Sequence, residues 1–103
     1  MESSGIPLSE QSGGIDMELK DTVDMMTSDD YKERFKAEYW QLRIRKEKLS
    51  QMLIDWGAGQ LDFKPRCPKE VLERQLHLMY MYQEVLEGRA VIERIEISES
   101  VTR

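Results

Sequence analysis

Residues 27–56 read TSDDYKERFKAEYWQLRIRKEKLSQMLIDW, a segment in which large apolar side chains recur every seven positions. Seven residues make two turns of an α-helix, so these side chains line one face. They are Phe35, Leu42, Leu49 and Trp56. The hydroxyl and carboxylate groups of residues 27–30 can accept hydrogen bonds from the exposed amides of a helix N-terminus. Gly57 can adopt the left-handed conformation that ends a helix. The pattern predicts one helix of about 28 residues, about 42 Å long.

A second long helix is predicted after a loop that cannot continue the first. Residues 57–68, GAGQLDFKPRCP, hold two glycines and two prolines. Pro68 suits the first position of a helix, which we expect to run from about residue 68 to about residue 94. Leu61 and Phe63 of the loop are expected to fold back over the end of the hairpin. The face of the second helix that meets the first comprises Leu72, Leu76, Met79, Leu86 and Ala90.

These features predict an all-α fold: a long antiparallel helical hairpin with a short N-terminal helix, assembled into an oligomeric helical bundle. Residues 1–14 are rich in Ser and Gly and show no apolar period, so we expect a disordered tail. Apolar residues at helical spacing predict a short amphipathic helix over residues 15–26. Residues 27–97 are then the helical-hairpin domain, and residues 98–103 form a second tail.

The two long helices carry more apolar surface than a hairpin can bury. A hairpin covers one stripe on each helix, yet further apolar residues lie on faces turned away from the predicted contact. A patch of this size usually marks an interface, so we expect self-association to a dimer or a higher symmetric assembly. The alternative is a three-helix monomer whose N-terminal segment covers this surface. The expected interface residues are Trp40, Ile44, Val71, Leu78, Tyr82, Val85 and Ile92.

Length and composition exclude several classes of protein. A chain of 103 residues has room for one small domain and not for a large cofactor-binding enzyme fold. We find neither an apolar run long enough for a membrane span nor a signal-peptide pattern, so we expect a cytoplasmic location. The chain has one cysteine, Cys67, and one histidine, His77, too few for a disulfide framework or a zinc site. We therefore expect no enzymatic activity, no cofactor and no bound metal.

Charge is unevenly distributed along the chain. Residues 16–30 carry six acids and one lysine, whereas residues 31–48 carry seven bases and three acids. The net charge of −5 argues against duplex-DNA binding, whose affinity comes largely from phosphate neutralisation. Four of the bases fall within about 80° of one another on a helix, with a tyrosine among them, a combination that can hold phosphates and stack a base. The candidate ligand-binding residues are Lys32, Lys36, Tyr39, Arg43 and Lys46; the alternative is a solvated charged face.

A set of motifs between residues 31 and 97 carries a resemblance to known proteins. The motifs are YKERF at 31–35, LDF at 61–63 followed by Pro65, CP at 67–68, LERQL at 72–76, Met79, Tyr82, LEGRA at 86–90 and IERIEI at 92–97. On these residues the chain resembles a family of small proteins encoded by tailed phages and prophages, including crAss-like phages. The resemblance implies a setting among accessory phage genes, many of which inhibit host defences. It implies no particular activity or site.

The sequence thus favours a non-enzymatic phage accessory protein that acts by binding. We expect an inhibitor of host antiviral defence. Its partner would be a small anionic nucleotide signal, held between basic and aromatic faces of the homo-oligomer, or a host defence protein. A CRISPR nuclease is one such protein, because its basic groove could accept the acidic residues 16–30. The alternative is a structural or regulatory phage component, such as an assembly or packaging factor.

Overall fold

The chain folds into helices joined by short connections. A computed structural model describes residues 16–98, and no strand occurs in that range. Two long helices, α2 at Tyr31–Gly57 and α3 at Lys69–Glu93, pack against each other as a hairpin, so the prediction of an all-α helical hairpin is confirmed. Within the described range, no helix is both long and apolar enough to span a bilayer. The elements are a 3₁₀ turn at Leu19–Thr22, α1 at Val23–Met26, α2 at Tyr31–Gly57 and α3 at Lys69–Glu93.

The predicted tails fall mostly outside the described residues. This applies to the whole of the tail expected at residues 1–14 and to residues 99–103 of the tail expected at the C-terminus. The short helix expected over residues 15–26 corresponds to two successive pieces, the 3₁₀ turn and α1.

Local sequence signals set both ends of α2. At the N-terminus, the Asp30 carboxylate accepts a hydrogen bond of 3.0 Å from the second helical N–H group. The predicted stop at Gly57 is wrong, because the helix includes Gly57 and the left-handed residue is Gly59, with φ +73°. The helix ends in a Schellman motif, in which the N–H groups of Gly59 and the next residue bond to carbonyls of the last turn at 3.1 and 2.8 Å.

Helix α2 is buried on two sides in its N-terminal half. The 3₁₀ turn and α1 contact α2, and α3 contacts it as well. A helix with partners on two sides buries residues around most of its circumference instead of along one stripe. Its buried residues are Phe35, Ala37, Tyr39, Trp40, Leu42, Ile44 and Lys46. Helix α3 has a neighbour on one side and fully buries only Leu86 and Ala90.

A buried hydrogen-bonded threonine fixes the N-terminal segment to α2. The Thr22 hydroxyl donates to the Leu19 carbonyl at 2.8 Å and accepts from the Gln41 amide at 2.9 Å. Ala37 and Ile44 lie one turn to either side of Gln41, so they share its face of α2. Ile44, which we expected at an interface between chains, is therefore buried inside this chain, on the same face of α2 as Gln41.

The segment after α3 completes the core. Arg94 ends the helix in a left-handed conformation, with φ 60° and ψ 48°, and the Ile95 N–H then bonds to the Ala90 carbonyl at 2.9 Å. This turn buries Ile95 in the main apolar cluster, which also buries Trp40. The cluster comprises Phe35, Tyr39, Trp40, Leu42, Leu86, Ala90 and Ile95, with Met17, Met79 and Ile97 packed against it. Trp40 is thus only 4% exposed, although its place on the helix led us to expect it at a free surface.

The loop between the long helices closes the hairpin differently from our expectation. Leu61 is half-buried, but Phe63 is 55% exposed, so Phe63 does not fold back over the hairpin end. The Lys69 ammonium lies 5.7 Å from the centre of the Trp56 ring and makes a cation–π contact with it. At this end of the hairpin, the contact that the structure shows is made by a charged side chain and not by Phe63.

The packing predicts a large stability loss when Leu86 is shortened. Leu86 has no exposed surface, so Leu86→Ala removes buried methyl groups and leaves a cavity. We expect this change to lower the free energy of unfolding by about 2–5 kcal/mol, as measured by chemical denaturation. Ile54→Ala, at a 59% exposed position on α2, is the control and should change it by about 0.5 kcal/mol or less. Equal losses in the two variants would contradict this description of the core.

Candidate functional site

An open groove of about 770 Å³ lies between α2, the C-terminal end of α3 and the segment that follows α3. Because three parts of the chain form its walls, the groove exists only where residues 94–98 fold back onto the hairpin. The residues that give it chemical character are Tyr39, Trp40 and Arg43 from α2, Glu87 and Val91 from α3, and Arg94, Glu96 and Ile97 from the last segment.

Arg43 is held in the groove by two aromatic rings. The central carbon of its guanidinium lies 5.2 Å from the centre of the Trp40 ring and 5.9 Å from that of Tyr39. Its Nε is buried, and no hydrogen-bond acceptor in the described chain reaches it. A buried donor without an acceptor costs about 1–3 kcal/mol. An acceptor atom of a ligand that reaches Nε would therefore remove this cost.

Tyr39 supports Arg43 and is itself fixed by hydrogen bonding. Its ring is 4% exposed and meets the Trp40 ring edge-on at a centroid distance of 5.3 Å. Its hydroxyl donates to the Glu87 carboxylate at 2.9 Å, and the Gln83 amide donates to the same oxygen at 2.9 Å. Burial, and secondly the hydrogen bond to Glu87, raise the pKa of Tyr39 above its usual value. The ring is thus a wall that orients Arg43, and its faces are not open for a base to stack on.

The groove combines charges of both signs. Arg43 and Arg94 bring two cations, and Glu87 and Glu96 bring two carboxylates. Glu87 already accepts the two hydrogen bonds described above, and Glu96 accepts one from the Ser98 hydroxyl. The arrangement suits a ligand that has both an anionic group for the arginines and hydrogen-bond donors for the carboxylates.

The five residues predicted to bind a ligand do not form one surface. Tyr39 and Arg43 line the groove. Lys32 is exposed, and Lys36 makes an ion pair of 3.0 Å with Glu33. Lys46 is buried, with its ammonium 4.2 Å from the centre of the Tyr80 ring and 3.6 Å from the Glu47 carboxylate. The regular spacing of the basic residues places them on one side of α2. At the Lys46 end of this set, however, Tyr80 of α3 covers the side chain.

The seven residues predicted to form an interface separate into two groups. Trp40 and Ile44 are buried within this chain, as described above. The other five lie exposed on α3, and their role between chains stays a prediction. They are Val71, Leu78, Tyr82, Val85 and Ile92.

A polar cluster beside the groove ties the end of α3 to the start of α2. The Tyr31 hydroxyl donates to the Glu93 carboxylate at 2.7 Å, and Arg89 donates to Glu93 at 3.2 Å and to the Tyr31 oxygen at 2.7 Å. The hydrogen bond from Tyr31 lowers the pKa of Glu93. The Arg89 guanidinium also lies 4.9 Å from the centre of the Phe35 ring. These contacts set the register of the two long helices where the groove forms.

The described residues offer no candidate metal site. Among residues 16–98, no group of three or more His, Cys, Asp and Glu side chains could hold a metal ion. Cys67 is a half-buried free thiol, and His77 is exposed. The arrangement at the groove can bind and orient a ligand. Sequence reasoning missed Glu87, Arg94 and Glu96 as groove residues. For Arg94 and Glu96, the signal that could have found them is the alternation of Ile95 and Ile97, since Ile95 is buried and Ile97 is half-buried.

The raised pKa of Tyr39 predicts a loss of stability in alkali. An unfolded tyrosine ionises near pH 10, whereas the folded phenol stays protonated to a higher pH. The stabilising contribution is thus complete below about pH 10 and is lost as the pH rises through the folded pKa. We expect the free energy of unfolding to fall above about pH 10, and to fall less in Tyr39→Phe. Denaturant titrations across this pH range measure the free energy of unfolding of wild type and of Tyr39→Phe, with Tyr80→Phe as control. An equal fall of this free energy in wild type and in Tyr39→Phe would refute the prediction.

Comparison with known proteins gives one finding. No curated protein and no solved structure matches the chain. A family model described as Sequestin matches residues 29–92, which include all of α2 and nearly all of α3. The name denotes sequestration, which is consistent with a binding role and not with an enzymatic one. Because the match covers more than half of the 103 residues, the chain belongs to the Sequestin family.

Proposed function

We propose that this protein sequesters a small anionic ligand of the nucleotide class and holds it, chemically unchanged, in the groove at Arg43. The observation that carries the proposal is the buried Nε of Arg43, which has no acceptor within the described chain and lies in a groove walled by Tyr39 and Trp40. A phosphate oxygen is the acceptor that best suits a guanidinium, because the pair forms a short charge-assisted hydrogen bond.

The other groove residues favour a nucleotide over a bare phosphate. A second arginine, Arg94, can meet another phosphate oxygen, and the Glu87 and Glu96 carboxylates can accept from ribose hydroxyls or an exocyclic amine. Val91 and Ile97 provide apolar surface for a base or sugar. The volume of about 770 Å³ is within the range of about 300–1,000 Å³ typical of small-molecule sites.

The biological setting that we propose is inhibition of host antiviral defence by a phage or prophage accessory protein. A nucleotide immune signal that is bound in the groove would no longer reach its receptor. The resemblance to phage proteins supports this setting, and the family name supports sequestration. The protein would then act in the host cytoplasm, where such signals are made.

A second mechanism has one observation in its favour. The acidic side chains around α1 are exposed and could face a basic groove on a host defence protein, such as a CRISPR nuclease. The exposed acids are Asp16, Glu18, Asp21, Asp24, Asp29 and Asp30. A role as a structural or regulatory phage component is the alternative from another class. A pull-down from phage-infected cells separates the two, because recovery of a defence complex favours occlusion and recovery of virion proteins favours assembly.

Calorimetric titration tests the sequestering function directly. We expect saturable binding of at least one member of a panel of cyclic mono- and dinucleotides, with inorganic phosphate as a comparison. In Arg43→Gln the charge-assisted hydrogen bond, worth about 1.5–3 kcal/mol, is lost, so we expect Kd to rise about 10- to 100-fold. In Arg43→Lys the charge is kept but the planar guanidinium with its several N–H donors is lost, so binding should also weaken.

Arg45→Gln is the matched control for this titration. Arg45 is exposed on the same helix, two residues from Arg43, and does not line the groove. We expect its substitution to leave Kd nearly unchanged, since it removes the same charge from the chain without touching the site. Absence of binding across the whole panel, or equal effects of the two substitutions, would refute the proposed function.

A further inference from the structure

Helix α3 carries an apolar stripe that stays largely exposed in the described chain, although the Tyr82 hydroxyl at its edge donates to the Glu38 carboxylate of α2. Four of its residues recur every seven positions, with two more apolar residues beside them, and their exposed fractions run from 43% at Tyr82 to 80% at Ile92. The stripe extends over about 32 Å of helix. A strict seven-residue apolar repeat is the pattern by which one helix packs along another in a coiled coil. This α3 stripe consists of Val71, Leu78, Met81, Tyr82, Val85 and Ile92.

Gly88 lies on the same face, three residues after Val85 and four before Ile92. Glycine is unfavourable inside a helix, so a structural reason is expected for it. The part of the chain that the structure describes supplies none, because a Cβ at Gly88 would meet no atom of it within 4 Å and the backbone there is ordinary α-helix. A glycine on an exposed apolar stripe leaves room for a large side chain of another helix to approach closely.

The exposed area of the α3 stripe suits an interface between two small proteins. A fully exposed aliphatic side chain offers on the order of 100 Å² and a tyrosine on the order of 200 Å², so the stripe leaves roughly 400 Å² of apolar surface. A standard interface buries about 800 Å² on each partner, slightly more than half of it apolar. The stripe therefore supplies about the apolar share of one side of such an interface.

Arg74 distinguishes between the two ways of pairing this helix with its own copy. It lies on the face of the stripe, between Val71 and Leu78. A parallel pair would place Arg74 against the same residue of the second copy, and like charges that face each other are destabilising. An antiparallel pair places Arg74 near Ile92 and the exposed Glu96 of the second copy, and it also opposes the two helix dipoles favourably.

We infer that the α3 stripe binds a second copy of this chain, with the two α3 helices antiparallel and Leu78 of each copy packed over Gly88 of the other. The interface is isologous, since each copy contributes the same residues around a two-fold axis. The interface lies on α3 and does not include Arg43; of the groove residues, Glu96 lies near it, and dimer formation does not require a bound nucleotide.

Light scattering after gel filtration tests the dimer in the full-length chain. We expect twice the monomer mass of 12.2 kDa for wild type at high micromolar concentration. Val85→Glu should give a monomer, with a dimer dissociation constant raised at least 100-fold, while far-UV circular dichroism stays unchanged. Ile54→Glu is the matched control, because Ile54 on α2 has the same exposed fraction of 59%. A monomeric wild type overturns the inference and would leave residues 1–15 or another protein as the occupant of the stripe. A Val85→Glu variant that still forms the dimer overturns it as well.

Gly88→Gln gives a second test in which folding and association change in opposite directions. Glutamine is a better helix former and has open space in the monomer, so thermal unfolding of the diluted chain should shift upward. The side chain would occupy the site of the second copy's Leu78, so the dimer dissociation constant should rise at least tenfold. A stabilised chain whose dimer is undiminished contradicts the role assigned to Gly88.

Disulfide trapping tests the orientation. In a Cys67→Ser background, differently tagged Leu78→Cys and Gly88→Cys chains are mixed and oxidised. The antiparallel pair predicts mixed disulfides between the two variants, because it places these two positions opposite each other. Disulfides that form mainly between two Leu78→Cys chains would show a parallel pair and overturn the inferred geometry.

Discussion

Burial of α2 on two sides is the constraint on which the rest of the structure depends. The Thr22–Gln41 hydrogen bond holds the N-terminal segment against one side, and Leu86 of α3 fills the core on another. Because little of its circumference is left over, even a charged residue, Lys46, is buried there, and it is accommodated by the Tyr80 ring and Glu47. Among residues 16–98, helix α3 has no such second neighbour, so its outer apolar face stays exposed there.

The groove follows from the same packing. Once Arg94 turns the chain and Ile95 enters the core, the last described residues pass over Tyr39 and Trp40 and enclose Arg43. The guanidinium is fixed before any ligand arrives, since both rings and the Tyr39–Glu87 hydrogen bond hold its surroundings in place. A binding site that is ordered in advance loses less conformational entropy on binding, and that suits a protein whose task is to retain its ligand.

Periodicity alone predicted the two long helices and their pairing, because a seven-residue apolar repeat has few other solutions over so many turns. It could not show what covers each face. Trp40 and Ile44 have the spacing of an exposed second stripe, yet both are buried within this chain, Trp40 in the cluster that Ile95 joins. Of the predicted basic site, Tyr39 and Arg43 meet in the groove, but Lys46 does not, because Tyr80 of α3 lies over it. Contacts between distant parts of the chain decided these positions, and local sequence spacing carries no information about them.

The most direct test of the account is a nuclear magnetic resonance titration that follows the arginine side-chain Nε–H signals. Arg43 Nε is buried and without an acceptor in the described chain, so its signal should be resolved in the free protein. On addition of a nucleotide that the protein binds, the account predicts that the Arg43 signal moves strongly downfield, as a new hydrogen bond forms, while that of exposed Arg45 stays in place. Saturable binding that leaves the Arg43 signal unchanged would contradict it.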